Sequence, residues 1–325
     1  MDAPRPRRRS TPFLIGLVAI LAALPLGYFL FLHQPPPPPP PPVVEAPPTP
    51  TPPKKGPVQL QLKEVRGTVE VRRGKGEWRT VSVGEALRPS DAVRTRDGSY
   101  AVLISGEAVE VRMEAGTEVS VEALTDSLSQ LLLGNGMTTV RIKPGAGHTF
   151  ELKATGSDAQ ARTEGGTFTV SSNGAGTVAL ATLLGEVSFS GQRKVVIVRA
   201  GQQSLIRPGQ GPSDPTPIPS SLLLKVNWPS RPTVTRRQFV VSGQTEPGSH
   251  VDVAGQRVPT DDEGRFSHPL ALQEGANSVQ VRALSVGGLR QENQRALTVD
   301  TTPPGKVTVD PRMWTDPSPQ GPQGQ

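Results

Sequence analysis

The chain has no cysteine among its 325 residues. That excludes disulfides, thiolate metal sites, a cysteine nucleophile and a lipid anchor carried on cysteine. Aromatic residues make up only 4% of it, so any core has to be built from Val, Leu, Ile and Ala. Long helices are excluded outside one N-terminal segment, because 36 prolines and 34 glycines break regular elements elsewhere. A concentrated basic surface is lacking as well. The net charge is +6, but Arg5, Arg7, Arg8 and Arg9 account for four positive charges, and beyond them the signs interleave. Nucleic-acid binding needs a basic stripe, so no nucleic acid is expected as a partner. The four histidines are scattered and form no H-x-x-x-H or H-E-x-x-H pair. No G-x-x-x-x-G-K-[ST] loop and no G-x-S-x-G elbow occurs either. No metal, cofactor or catalytic residue is therefore expected.

One long apolar run is present. "FLIGLVAILAALPLGYFLFL", residues 13–32, is 20 residues without a charge. At about 1.5 Å per residue it matches the ~30 Å hydrocarbon core of a bilayer. Its anchoring residues are Phe13, Leu14, Ile15, Leu17, Val18, Ile20, Leu21, Leu24, Leu26, Phe29, Leu30, Phe31 and Leu32. A cleavable signal peptide has a shorter apolar region and a small-residue cleavage site. Here the run is longer, no A-x-A follows, and the exit is blocked by proline, which favours an uncleaved signal anchor. Pro25 and Gly27 inside the run allow a kink. The arginines Arg5, Arg7, Arg8 and Arg9 precede the span, so the positive-inside rule puts residues 1–12 in the cytoplasm and the bulk outside. The expected location is the bacterial inner membrane, single-pass, with the folded part in the periplasm.

After the span, residues 35–53 contain 13 prolines. Proline fixes φ and disfavours helix in the residue before it, so the 33–57 segment reads as a polyproline II spacer rather than a ligand motif. At about 3.1 Å per residue its 35–53 portion spans roughly 60 Å.

From residue 58 onward apolar and polar residues alternate, as in "VQLQLKEVRGTVEVRR", "AVLISGEAVEVRMEAGTEVSVEAL" and "KVVIVRAGQQSLIRPG". Period 2 with Val and Thr, broken by glycine every few residues, predicts short strands and tight turns. "RDGS" at 96–99 reads as a hairpin turn, and "VEALTDSLSQLLLG" at 121–134 as either a helical turn or strand. The fold class is all-β after a single transmembrane helix. "VRGTVEVRRGKGEWRTVSVGEAL" (65–87) aligns with "LLGEVSFSGQRKVVIVRAGQQSL" (183–205), with a looser copy at 132–145. The first two carry Gly-x-Val, a loop, a second strand and then a glycine ahead of a leucine. Such repeated hairpins stack into a sandwich or a short solenoid.

The order of motifs over 58–211 resembles the FecR domain. It runs from Gly67 and Val69, through Gly84 and Leu87, to Asp91, Val93 and Thr95. It continues with Gly166, Thr167 and Phe168, then Gly185 and Val187, and closes on Gly201 and Gln202. "GGTF" lacks the arginine of the family's box. The resemblance implies an extracytoplasmic β domain for sensing or interaction. The sigma-factor-controlling cytoplasmic region of the best-known members has no counterpart in the 12 residues before the span. After a Pro-rich hinge at 212–224, residues 225–303 resemble bacterial Ig-like modules of the glucodextranase-B type, in "VSGQTEPGSHVDVAGQ", "DEGRFSHPLAL", "EGANSVQVRA" and "VDTTPP". That implies a β-sandwich used for spacing or adhesion, with Gly243 and Gly248 at turns, Phe266 and Leu270 facing inward and Asn277 in a turn. Residues 304–325 are rich in Pro, Gln and Gly and read as disordered.

Two tryptophans, Trp78 and Trp228, could stack a sugar or a partner, or could pack a hairpin and the joint between modules. "TDDEG" at 260–264 clusters Asp261 and Asp262, as calcium sites do and as acidic hairpin turns do. The chain is expected to be a non-enzymatic binding, sensing or scaffolding protein of the cell envelope. Its partners would be the inner membrane, through one helix, and an envelope protein or polysaccharide. The alternatives are a FecR-type signalling component with a separate cytoplasmic partner, a TonB-like transducer, or a cell-wall polysaccharide-acting protein.

Overall fold

A computed structural model describes residues 11–32 and 59–303. The arginines at 5, 7, 8 and 9, the proline segment 33–57 and the 304–325 tail lie outside the described residues.

The apolar run is helical. Thr11–Gly27 forms an α-helix with Pro25 inside it, and Tyr28–Leu32 continues as one π-helical stretch. Proline cannot donate to the ladder and crowds the carbonyl four residues back, and a π turn widens the helix just past such a point. Leu14–Phe31 has a mean hydropathy of 2.4, and none of it is buried against protein. Its length and composition suit one crossing of a bilayer, and a signal sequence has the same character.

The remaining chain is all-β. Seventeen strands hydrogen-bond into one sheet that folds on itself into two layers. The first layer runs Ala86–Leu87, Leu60–Arg66, Tyr100–Ser105, Val109–Met113, Gly136–Ile142, Gly166–Ser172, Val178–Gly191, Gln202–Ile206 and Thr216–Pro217. The second runs Trp78–Thr80, Val69–Arg72, Ala92–Thr95, Glu118–Leu124, Leu128–Leu133, Thr149–Ala154, Gln160–Thr163, again Val178–Gly191, and Lys194–Arg199. Neighbours are antiparallel except Leu128–Leu133 with Thr149–Ala154. The alternation in the sequence becomes burial: Val109–Met113 and Leu128–Leu133 each turn every second residue into the space between the layers. Val, Leu and Ile fill that space, together with Phe150, Phe168 and Phe189. Phe150 of the second layer meets Phe168 of the first edge-on, with ring centroids 6.1 Å apart.

The internal repeat has a structural meaning. In both copies a hairpin lies in the second layer, Val69–Arg72 with Trp78–Thr80 and Glu186–Gly191 with Lys194–Arg199. In both, the chain then crosses at a glycine into the first layer, Gly84 before Ala86–Leu87 and Gly201 before Gln202–Ile206. The two copies build the two opposite ends of the body.

Residues 224–299 form a second, smaller sandwich. One sheet is Leu224–Val226, Gln238–Thr245 and Arg265–Ala271, and the other Thr233–Val234, Arg290–Val299, Gly275–Leu284, His250–Val253 and Gln256–Val258. Its core is Val241, Val251, Val253, Val279, Val281, Phe266 and Leu297, with Leu270 partly buried against it. The stretch expected to be a hinge, 212–224, is tied to both sandwiches. Thr216–Pro217 pairs with Gln202–Gln203, the Ile218 amide donates to the Gly201 carbonyl (2.9 Å), and Leu222 is buried in the second core.

Three local expectations change. "RDGS" does make a turn, with the Ser99 amide donating to the Arg96 carbonyl (3.1 Å), but it carries the chain from one layer to the other and closes no hairpin. Of the two readings of "VEALTDSLSQLLLG", strand is the one that holds, on both sides of a turn. Gly243 lies inside Gln238–Thr245 and not at a turn: a Cβ there would sit 2.2 Å from the Lys225 carbonyl oxygen and 2.5 Å from the Phe266 ring. Gly248 does sit at a turn, with φ +78. Asn277 lies inside Gly275–Leu284, paired with Leu297, and not in a turn; its side chain reaches back to donate to the Gln273 carbonyl at 2.7 Å.

The tight turn between Gly191 and Lys194 is made by Gln192 and Arg193, both at positive φ (46° and 60°). This is the geometry that Asn-Gly adopts most readily. Gln192→Asn with Arg193→Gly is therefore expected to raise unfolding stability by about 1 kcal/mol in urea titration. An unchanged midpoint would mean that the left-handed pair is not strained.

Candidate functional site

A cleft of ≈ 930 Å³ opens at one end of the two-layer body. Three turns and one crossing wall it: Gly106–Ala108, Lys143–Gly145, Glu164–Gly165 and Leu184–Glu186. Its volume is of the size that takes a ligand or a peptide side-chain cluster. The floor is apolar, and Leu184 stands 63% exposed beside it. The rim is ionic: Glu110 pairs with Lys63 (3.4 Å) and Arg141 (3.1 Å), and Glu107, Glu164, Glu186 and Lys143 stand around it. Such a site can hold an apolar group under a ring of mixed charge. No sequence signal marked these stretches as one site, because its walls come from four separate segments.

Two of the family-motif glycines make the cleft. Gly166 and Gly185 lie on adjacent strands with φ +122 and +77. A Cβ on Gly166 would come within 2.2 Å of the Leu184 carbonyl oxygen, and one on Gly185 within 2.8 Å of that of Gly165. Thr167 lines the cleft and Phe168 is fully buried. The other motif residues hold the scaffold. Val69, Leu87, Val93 and Val187 are core, and Gly67, Gly84 and Gly201 are turns at positive φ. Thr95 donates to the Glu114 carbonyl (2.6 Å), and the Gln202 side chain accepts from the Arg199 amide (3.0 Å). Buried Asp91 takes the Arg73 guanidinium (2.6 Å) and the Arg88 amide (3.0 Å).

The two tryptophans lie apart. The guanidinium groups of Arg94 and Arg72 stack on Trp78 at 4.1 and 4.7 Å, and Glu70 bonds both Arg94 (2.6 Å) and Arg96 (2.8 Å). Hydrogen bonds first from Arg94 and then from Arg96 hold the Glu70 carboxyl below its ordinary value. A sugar stacking on Trp78 would displace a guanidinium. Trp228 packs on the second core, and its indole N–H donates to Asn293 Oδ1 (3.0 Å). Asp261 is taken up by its own turn, accepting from the amides of Glu263 (3.0 Å) and Arg265 (2.8 Å) and from Arg265 Nε (2.8 Å). Among the described residues no three His, Asp or Glu side chains gather as metal ligands would.

The seam between the two sandwiches is the other polar concentration. Ser171 donates to the Gly248 carbonyl, Asn173 to that of Thr260 (3.2 Å), and the Arg257 amide to Asp97 Oδ1 (3.2 Å). Met137, Ala179, Ala181 and Val286 form a small apolar cluster beside them. A Cβ at Gly248 would lie 2.4 Å from that of Ala179, so the seam closes only around a glycine there. His250 is buried in it, its Nε2 without a partner. Burial, reinforced by the nearby Arg257 charge, holds its imidazole well below the ordinary value. Burial also pushes Arg257 down to about 10 and raises Asp252. None of these three was singled out in the sequence, where an isolated His or Arg on a strand carries no signal.

No family model matches the chain, and no curated protein does. Two crystal structures of a proposed anti-sigma factor from Parabacteroides distasonis ATCC 8503 are similar, at 16% and 15% identity and a TM-score of 0.33. Each match covers 38% of this chain, which spans 59% of that one. A polysaccharide lyase matches over 75% of this chain and 40% of its own, at 10% identity and a TM-score of 0.19. Similarities of this size carry no functional argument.

His250 has a lowered pKa in the folded state, so between that value and its ordinary 6.5 the unfolded chain binds a proton and the folded chain does not. Stability is then expected to fall as pH drops below about 6.5, whereas Asp252, with a raised pKa, acts in the opposite sense nearer the carboxylate range. Protection factors of the seam amides of Ser171, Gly248 and Arg257, taken relative to the intrinsic base-catalysed rate at each pH, should fall from pH 7 to pH 5, and His250→Gln should flatten that slope. A pH-independent seam would show that His250 is hydrated and not buried.

Proposed function

We propose that this chain is a membrane-anchored binding or scaffolding protein of the bacterial cell envelope and that it works without catalysis. The observation that carries this reading is the helix at Leu14–Phe31. Its 18 residues have a mean hydropathy of 2.4 and none of them is buried, while each β sandwich encloses a buried apolar core. Exposing that much apolar surface to water is strongly unfavourable, and a bilayer removes the penalty. In this reading the helix stays uncleaved in the inner membrane with the arginines inside. The 33–57 segment then stands a FecR-like body (58–211) and an Ig-like module (225–303) off into the periplasm.

The FecR-like assignment is supported by where its motif residues fall: the glycines at turns and at the cleft, the Val, Leu and Phe positions in the core. The binding role is supported by the cleft, which sets an apolar floor under charges of both signs, with Glu110 paired to Lys63 and Arg141. Mixed-charge rims of this kind favour a protein or polymer surface over a small, single-charge ligand.

Protease added to intact spheroplasts is expected to degrade the folded region and leave a membrane-embedded fragment too short to hold either sandwich. Survival of the full-length chain would sink the orientation. Release of the intact β region by alkaline carbonate, with a new N-terminus after residue 32, would replace the anchor by a cleaved signal sequence.

A further inference from the structure

The second copy of the internal repeat ends the second layer on an edge strand that is left open. The two-residue turn fixes the register as Gly191↔Lys194, Ser190↔Val195, Phe189↔Val196, Ser188↔Ile197 and Val187↔Val198. In an antiparallel ladder the pair flanking such a turn exchanges hydrogen bonds, and pairs then alternate. Lys194, Val196 and Val198 therefore bond inward to Val178–Gly191. Val195, Ile197 and Arg199 turn their N–H and C=O groups outward. The Arg199 amide is satisfied by Gln202 Oε1 (3.0 Å), and Val195 and Ile197 have no outward backbone partner among the described residues. Their side chains are outward too, at 61% and 40% exposure.

Other sheet edges among the described residues are mostly short, charged or interrupted by proline; the outer side of 290–297, beyond the two residues that pair with Thr233–Val234, carries Arg290, Glu292 and Arg295. The first copy of the repeat ends on Trp78–Thr80, three residues long, with Trp78 under two guanidinium groups and Arg79 bound to Glu85 (2.5 Å). Arg265–Ala271 is longer but contains Pro269. Ala86–Leu87, Thr216–Pro217, Thr233–Val234, Leu224–Val226 and Gln256–Val258 have two or three residues each. Lys194–Arg199 has six, no proline, and four β-branched residues in a row. Short length, proline and charge are the devices by which edges avoid pairing, and here all are missing from the middle of the strand.

We propose that Lys194–Arg199 is an acceptor edge on which an extended, acidic segment of a partner protein adds as a further strand of the second layer. The charge selects the occupant. Residues 191–199 carry Arg193, Lys194 and Arg199 and no acid. The one carboxylate paired with them, Asp214 on Lys194 (2.9 Å), is 89% exposed and easily exchanged for another. A second copy of this chain would set this basic hairpin against itself, which like-charge pairing across strands disfavours. An added strand gains main-chain hydrogen bonds along Val195–Ile197, valine-sized contacts on the outer face, and an acid opposite Arg199. The inference goes beyond the envelope-binding reading and is independent of membrane orientation, because it is read on purified protein.

The test uses the full chain in detergent micelles and a short labelled peptide with alternate valines and a glutamate at each end. Fluorescence anisotropy is expected to report saturable binding, and the amides of Val195 and Ile197 should gain exchange protection. Binding should weaken roughly tenfold, the loss of one to two net hydrogen bonds, when the peptide's bonding edge is N-methylated or in the Ile197→Pro variant. Proline is tolerated there because that N–H points outward. Arg199→Glu, which leaves the strand intact, should shift preference to the same peptide with lysines for glutamates. No binding at millimolar peptide, equal binding of the N-methylated or lysine peptide to the native chain, or an Ile197→Pro-sensitive dimer in place of peptide binding would each overturn the proposal.

Discussion

The body depends on one close approach of backbone to backbone. Gly165–Gly166 and Leu184–Gly185 pass each other with no room for a side chain on either glycine. At that point the strand Val178–Gly191 leaves the first layer, where it pairs with Gly166–Ser172 and Gln202–Ile206. It then enters the second, where it pairs with Gln160–Thr163 and Lys194–Arg199. A strand can serve two layers only if it bends sharply, and the pairing register shifts there, between Thr167 and Phe168. The bend also turns Leu183 to Glu186 out of the core, which is why an exposed leucine lines the cleft. Closure of the core and creation of the cleft are thus one event.

The same shared strand explains why the two ends of the body differ. The repeated hairpin at the N-terminal end hangs from short strands and is fixed by ions, with Glu85 bonded by both Arg73 and Arg79 and Asp91 by Arg73. At the other end the hairpin continues directly from the bend, so its strands are longer and their pairing alone sets its position. Charge is then not needed to hold it, and the edge keeps Val195 and Ile197 outward. Exposed ion pairs add little stability singly. Their use at one end, against the single exposed Lys194–Asp214 pair at the other, separates a closed edge from an open one more than a strong edge from a weak one.

Much of this was legible in the sequence for a plain reason. Strand alternation is local, so "VEVRM" or "LSQLLL" declares which residues face the core, and the glycines at positive φ punctuate the turns. The repeat was legible because both copies keep the same order of glycine and valine. What was not legible is where a turn leads. "RDGS" has the residues of a hairpin, yet Ala92–Thr95 and Tyr100–Ser105 lie in different layers, and only long-range pairing decides that. Gly243 reads as a turn but is needed because the Lys225 backbone and the Phe266 ring press on it from other strands. The cleft and the seam were invisible for the same reason: their residues come from segments up to 160 positions apart, as with Asp97 and Arg257.

The seam shows what a polar joint achieves that an apolar one does not. Its hydrogen bonds have directions: Ser171 to Gly248, Asn173 to Thr260, Arg257 to Asp97. Three such bonds, from the 171–173 segment and the turn at Asp97 on one side to Gly248, Arg257 and Thr260 on the other, can be satisfied together in one relative placement of the sandwiches, whereas the small cluster around Met137 and Val286 would tolerate sliding. Burying His250 and part of Arg257 there is unfavourable, and both are pushed toward their neutral forms. That penalty makes sense if orientation rather than stability is what the joint supplies. The Pro-rich stretch acts with it: paired to Gln202–Gln203 at one end and buried at Leu222 at the other, it keeps the joint's partners in register. A surface presented by one sandwich is therefore presented at a fixed angle to the other.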